Sequence, residues 1–284
     1  MLGKVLVAAG VLVTLSVAGT ALGKRRWEAG TSALRERIEA ARLPVMPQAV
    51  DLVALETLPA PVQRYFRAVL HQGMPMVASV RMQHRGMFNM GGQEARWKPF
   101  ESDQLVVIRR PGFDWNARIA MMPGLPVHVH DAYAAGEGVL HAALFGLIPL
   151  AHMRGDPGIA QGELMRFLAE AAWYPTALLP GQGVRWEAID ANQARATLTD
   201  GPVSVTLQFR FNADGLIDIV QAQARGRTVG KRIVPTPWQG RFWNYQTRFG
   251  MLVPLEGEVS WLTAEGALPY WRGSITGIDY QTAR

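Results

Sequence analysis

The chain has 284 residues, no cysteine, 29 Lys+Arg against 23 Asp+Glu and a formal net charge of +6. The missing cysteines exclude a disulfide framework, a thiolate metal site and a lipoprotein attachment site. Lys4, Lys24, Arg25 and Arg26 all precede residue 27, where no acid occurs, so 25 basic residues face 23 acidic ones in the remainder. That balance is too even for a dedicated phosphate-backbone binder, and no nucleic-acid partner is expected.

Residues 5–22 form an almost unbroken apolar run. About 20 apolar residues of helix cross a hydrocarbon core roughly 30 Å thick, so residues 1–26 are expected to be a single-pass transmembrane helix with basic flanks, and the lipid bilayer its partner. Gly19-Thr20-Ala21 offers a small-x-small cleavage pattern. A signal peptide's apolar core is only about 7 to 15 residues long, however, and the run here exceeds it, which favours retention in a cell membrane. Lys24, Arg25 and Arg26 by themselves favour a cytoplasmic C-terminal side. Long domains are translocated largely regardless of charge, and the domain is expected on the extracytoplasmic, periplasmic side.

Residues 27–48 read as a helical stalk, with Leu34 and Ile38 four apart amid mixed charges and Pro44 and Pro47 as stops. In residues 58–70, LPAPVQRYFRAVL, prolines stand at the helix start. Val62, Tyr65, Phe66, Val69 and Leu70 then follow the spacing of a buried helical face. Gly73 and Pro75 end that helix. From Val77 the period changes to two, the mark of strands. Phe113, Trp115, Ala117, Ile119 and Met121 share one face, whereas Asp114, Asn116 and Arg118 share a face expected to be polar or solvated.

Turn pairs at Gly91-Gly92, Pro111-Gly112, Pro123-Gly124, Asp200-Gly201, Asp214-Gly215 and Glu265-Gly266 predict successive hairpins. One helix, residues 162–173, interrupts them. Strands are expected at 184–190, 194–199, 203–211, 216–225, 242–249, 258–262 and 270–280. With no linker or charge block inside it, 49–284 is expected to be a single sheet-rich domain. The fold class is α+β: a large curved antiparallel β-sheet, an open half-barrel-like meander, with a few helices packed on one face.

Residues 58–70, the D-x-Y-x-x-G-x-G pattern of Asp131, Tyr133, Gly136 and Gly138, the segment GELMRFLAEAAWYPTALLP, PTPW at 235–238, and Trp261, Tyr270, Arg272 and Tyr280 carry a resemblance. The chain is similar to a bacterial family of uncharacterised, mostly membrane-anchored proteins. The resemblance covers nearly the whole domain and implies its extent; it implies no activity.

Glu163, Arg166, Glu170 and Trp173 fall on one stripe of the helix. They read either as a solvated face with Arg166 bridged to both acids, or as a partly buried ionic cluster at the edge of a cavity, with Trp173 as a ligand platform. Arg225 and Arg227, two apart on one strand face, read either as cross-strand ion-pair partners or as contacts to an anionic headgroup at a cavity mouth. Trp115 and Trp238 fit a core, or the wall of an apolar cavity; Asp131 and Tyr133 of the pattern are counted as ligand-binding candidates with them.

His128 and His130 share a strand face and are the weak candidates for a metal, with His84, His141, Glu137 or Asp131 as further ligands. Two surface histidines are the plain alternative. The chain lacks a G-x-S-x-G elbow, a dinucleotide loop and a P-loop, and no cofactor is expected. The leading reading is a non-enzymatic, membrane-tethered domain that binds a lipid or other apolar ligand in the concave face of its sheet. The alternatives are a carboxylate-dependent hydrolase or other enzyme using residues such as Glu163 and Glu170, and an envelope scaffold or interaction protein.

Overall fold

The computed structural model describes residues 2–91, 94–230 and 232–283, the side chains of residues 2–18 excepted. Helix α1 (Leu2–Ala40) carries the apolar run without a break into the segment expected as a stalk. The anchor expected at residues 1–26 lies mostly on side chains outside the described residues, as does Gly92 of the first turn pair. Among the described residues no helix is long and apolar enough to cross a membrane.

Helix α2 (Ala60–Val69) begins behind Pro59 and buries Val62, Tyr65, Phe66 and Val69, as its spacing requires. Six strands follow: β1 (Val77–Asn89), β2 (Trp97–Val107), β3 (Gly112–Met122), β4 (Leu125–Ala134), β5 (Glu137–Leu144) and β6 (Ile148–Arg154). Helix α3 (Pro157–Glu170) and three short 3-10 turns come next. Seven more strands complete the chain: β7 (Arg185–Asp190), β8 (Gln193–Asp200), β9 (Val203–Phe211), β10 (Ile217–Val229), β11 (Arg232–Arg248), β12 (Met251–Thr263) and β13 (Gly266–Thr282).

All 13 strands form one sheet in the order β6-β5-β4-β3-β2-β1-β13-β12-β11-β10-β9-β8-β7. Two meanders, β1 to β6 and β7 to β13, are thus joined side by side through the antiparallel β1–β13 pair. The sheet is not closed, because β6 and β7 are its opposite edges. The chain passes between those edges through α3, which packs on β4 and β5 of one meander and on β9 and β10 of the other. The sheet curls around this helix far enough for the Tyr133 hydroxyl of β4 to donate to Asp200 Oδ2 of β8 at 2.9 Å.

Asp156 caps α3, its Oδ1 accepting from the backbone of Gly158 and Ile159. The helix therefore starts earlier than its apolar spacing indicates, and it ends at Glu170, so that Trp173 lies in the first 3-10 turn. Strand β11 also starts earlier than expected and includes PTPW. Its residues 232–236 pair only with β10, and pairing with β12 begins at Trp238. Pro235 and Pro237 lack a backbone N–H, and one side of this ribbon asks for none.

The helices do not all lie on one face, contrary to the sequence expectation. Helices α2 and α3 belong to the main core with Phe113, Trp115, Ala117 and Ile119, on the inner face. Helix α1 covers the other side of β2, β3 and β4. Asp114, expected on a polar or solvated side, is 0% exposed, so of the two the polar one holds. Arg35 of α1 donates from Nε to Asp114 Oδ2 at 2.8 Å and from Nη2 to Asp103 Oδ2 at 2.5 Å.

Asp114 Oδ1 also stands 2.7 Å from His130 Nδ1, whose Nε2 is 3.1 Å from Thr31 Oγ1. The Trp27 indole donates to Asn116 Oδ1 at 2.9 Å and stacks on His130 with centroids 4.4 Å apart. A polar strand face was therefore matched by a polar helix face instead of by water. Alternation in sequence does not distinguish these two outcomes, because both leave charged residues at every second position.

Candidate functional site

Between α3 and the inner face of the sheet lies a cavity of about 130 Å³, lined by aromatic rings and by one end of an ionic cluster. Trp115 comes from β3, Trp238 and Phe242 from β11, Tyr270 and Trp271 from β13, and Trp173 from the turn after α3. Gly240 and Gly257, which lie on neighbouring strands β11 and β12 two positions out of register, also line it. An added Cβ would meet the Trp238 ring at 3.5 Å from Gly240 and the Arg241 carbonyl oxygen at 3.1 Å from Gly257, so the large rings close in on both glycines. The Trp238 indole donates to the Tyr270 hydroxyl at 2.9 Å, which fixes both rings in the wall.

The ionic cluster sits on α3. Arg166 donates from Nη1 to Asp131 Oδ2 and from Nε to Glu170 Oε1, both at 2.6 Å, while its guanidinium lies 4.9 Å from the Trp115 ring centroid and 5.1 Å from that of Phe113. Gln104 Nε2 donates to Glu170 Oε2 at 2.7 Å. Burial opposes the charge on Arg166, but Glu170, Asp131 and Glu163 outweigh it and hold the guanidinium protonated. The stripe seen in the sequence is thus a buried cluster and not a solvated face.

Glu163 is buried beside it, with Oε1 3.6 Å from Arg225 Nη2 and with Oε2 lacking an acceptor's partner. Burial, reinforced by the charge of Asp131, pushes Glu163 well above the usual carboxylate range against the opposing pull of Arg225 and Arg166. In its protonated form the carboxyl hydrogen has Asp131 as its acceptor.

The linkage has a definite sign. A carboxyl with a raised folded-state pKa contributes stability that is full below the unfolded value, about 4.3, and is lost as pH rises through the folded value. Glu163→Gln removes that loss. Urea unfolding from pH 4 to pH 9 should show the variant gaining on the wild type as pH rises; a gap that stays constant across that range would contradict the assignment.

His84, on β1, is buried between Trp173 and Trp271, with Nδ1 3.2 Å from Ser102 Oγ and Nε2 unpaired. Burial, with Arg166 nearby, lowers it to about 3, so it is neutral at ordinary pH. It therefore lies on the opposite face of the sheet from His128 and His130, which contact Trp27 of α1. The proposed metal ligands are divided between two faces. His141 joins the outer pair near Trp27, but among the described residues no group of three or more His, Asp or Glu is arranged to hold a metal.

Of the candidates named from sequence, Trp115, Asp131, Glu170, Arg166, Trp173, Arg225 and Trp238 meet at the cavity. Glu163 stands behind Arg225. Tyr133 is buried away from the cavity and bridges the meanders through Asp200, and Arg227 lies further along β10, outside the lining. Phe88, Arg241 and Glu258 complete the wall and were not singled out. Alternation could have placed Glu258 with its neighbours on β12, but Arg241 had no signal, since the strand that carries it was read as starting one residue later.

Fold and site together define an open antiparallel half-barrel filled by one helix, with a small aromatic cavity closed by a buried ionic cluster. The chain belongs to a family of unknown function, DUF6920, which it matches over residues 56–280. No curated protein matches it. Among solved structures, it is similar to a LolA superfamily protein from Nitrosomonas europaea, with 11% identity and a TM-score of 0.38 over 89% of this chain and 94% of that one. A DUF1329 family protein from Desulfovibrio piger gives 12% identity and a TM-score of 0.37 over 72% and 86%.

Proposed function

We propose that this chain is a membrane-tethered, non-enzymatic binding protein whose inner cavity takes up one apolar moiety of a lipid or other apolar ligand. The observation that carries this reading is the aromatic-walled cavity of about 130 Å³. An apolar cavity of about 150 Å³ is enough to hold benzene. The concave face itself is largely occupied by α3 and the core, so the guest is a ring or a short stretch of acyl chain, one end of a lipid and not the whole of it.

The tether reading is supported where α1 meets the domain. Gly23 is packed against the backbone of Phe145, so closely that an added Cβ would stand 2.1 Å from its carbonyl oxygen. The apolar run thus leaves the domain at the turn between β5 and β6, and Leu22, Ile148 and Leu150 are exposed there. We place the domain on the extracytoplasmic side; a C-terminal alkaline phosphatase fusion that is inactive in cells would overturn that placement.

Native mass spectrometry of the full-length chain extracted in mild detergent tests the binding reading. The expected result is a bound species released by organic solvent. A bare polypeptide mass, together with unchanged tryptophan fluorescence on titration with hexan-1-ol, would count against it. The raised carboxyl of Glu163, paired with Asp131, favours a second reading, an enzyme using this pair for acid-base chemistry. Against it, Glu163 does not itself line the cavity.

A further inference from the structure

Resting on the reading of the cavity as an apolar binding site, we infer that its ligand carries a carboxylate, held by the Arg225 guanidinium from its position over the Trp238 ring. Two arginines enter this wall, and they are differently placed. Arg166 spends its Nε and Nη1 donors on Glu170 and Asp131 at 2.6 Å each. Arg225 makes no hydrogen bond among the described residues; its nearest carboxyl oxygen, Glu163 Oε1, is 3.6 Å away.

Yet the Arg225 side chain is only 10% exposed. It is held in place by shape: the guanidinium lies 5.2 Å from the Trp238 ring centroid and passes over Gly162 of α3, where an added Cβ would stand 3.5 Å from Nε. A buried guanidinium fixed by packing and left with a free fork of donors is suited to a bidentate carboxylate.

Other groups in the wall point to the same chemistry. The indole N–H groups of Trp115 and Trp173 are buried without an acceptor. Three carboxylates, Asp131, Glu170 and Glu258, and three guanidiniums, Arg166, Arg225 and Arg241, line the cavity, and Glu258 is bound from outside by Arg272 at 2.5 Å. A cationic ligand would find Asp131 and Glu170 already engaged by Arg166 and Glu258 by Arg272.

The test uses the full-length chain in detergent, with empty micelles subtracted, and three six-carbon probes: hexanoate, hexan-1-ol and hexyltrimethylammonium. Calorimetry should show hexanoate binding at least about tenfold more tightly than hexan-1-ol, the size of effect expected of hydrogen bonds to a charged group. Arg225→Met should abolish that preference while hexan-1-ol binding persists. Should Arg225→Met fail to fold, Arg225→Lys keeps the charge but loses the fork, and a severalfold loss confined to hexanoate is expected. Hexan-1-ol binding as tightly as hexanoate would overturn the carboxylate and leave the apolar site standing. Preference for hexyltrimethylammonium would do the same. Binding of none of the three would overturn both readings.

Discussion

Arg166→Met should lower the free energy of unfolding by about 3 to 5 kcal/mol, the usual cost of removing one partner from a buried ion pair. The methionine fills much of the space over Phe113 and Trp115, so the loss is not chiefly one of packing. It arises because Asp131 and Glu170, both largely enclosed, lose their shared counter-ion while Glu163 remains beside them. Urea unfolding checks the magnitude. The diagnostic comparison adds Asp131→Asn and Glu170→Gln to Arg166→Met: the triple variant should recover a substantial part of the stability, since it no longer buries unpaired anions. If the triple variant is as unstable as the sum of its parts, the cluster is not electrostatically coupled.

Gly138→Ala is expected to destabilise the protein by about 1 to 3 kcal/mol, as overpacking of a tight site does. The added Cβ would stand 2.6 Å from the backbone nitrogen of Ala160 and 2.6 Å from the carbonyl carbon of Ile159. Those atoms belong to the first turns of α3, so relief requires the helix to move off β5 and not merely a side chain to turn. Thermal unfolding measures the loss, and a change below about 0.5 kcal/mol, the ordinary range of neutral surface substitutions, would show that the helix seat is loose. Because α3 also carries Arg166, the same substitution should disturb cavity binding. The D-x-Y-x-x-G-x-G pattern thereby acquires a physical content: an ion-pair partner, a bridge between meanders, a turn glycine at φ +86° and a helix seat.

Much of the sheet was legible because its strands alternate and most of its turns are marked by glycine. The amphipathic α2 and the stripe on α3 were legible for the same kind of reason. Pro235 and Pro237 hide the start of strand β11, since proline is depleted in strands, and only the pairing partners reveal that these residues border an unpaired edge. The docking of α1 was illegible: Arg35, Thr31 and Trp27 look like an exposed face until Asp114, His130 and Asn116 are placed opposite them. Trp271 and Tyr270 could be assigned to a strand, but no spacing states that rings from β13 line the same cavity as Arg225 from β10. Sites assembled across non-adjacent strands leave no local trace.

The pairing of β1 with β13 makes synthesis a matter of waiting. Once β1 has left the ribosome, its outer edge has no partner until the last strand follows, and at about 5 to 20 residues per second that interval is on the order of ten seconds or more. The first meander meanwhile presents a long row of unpaired backbone groups, the template other chains join most readily. Folding of this protein is therefore expected to finish from its C-terminal end, and a truncation that removes β13 should aggregate instead of yielding a smaller soluble sheet.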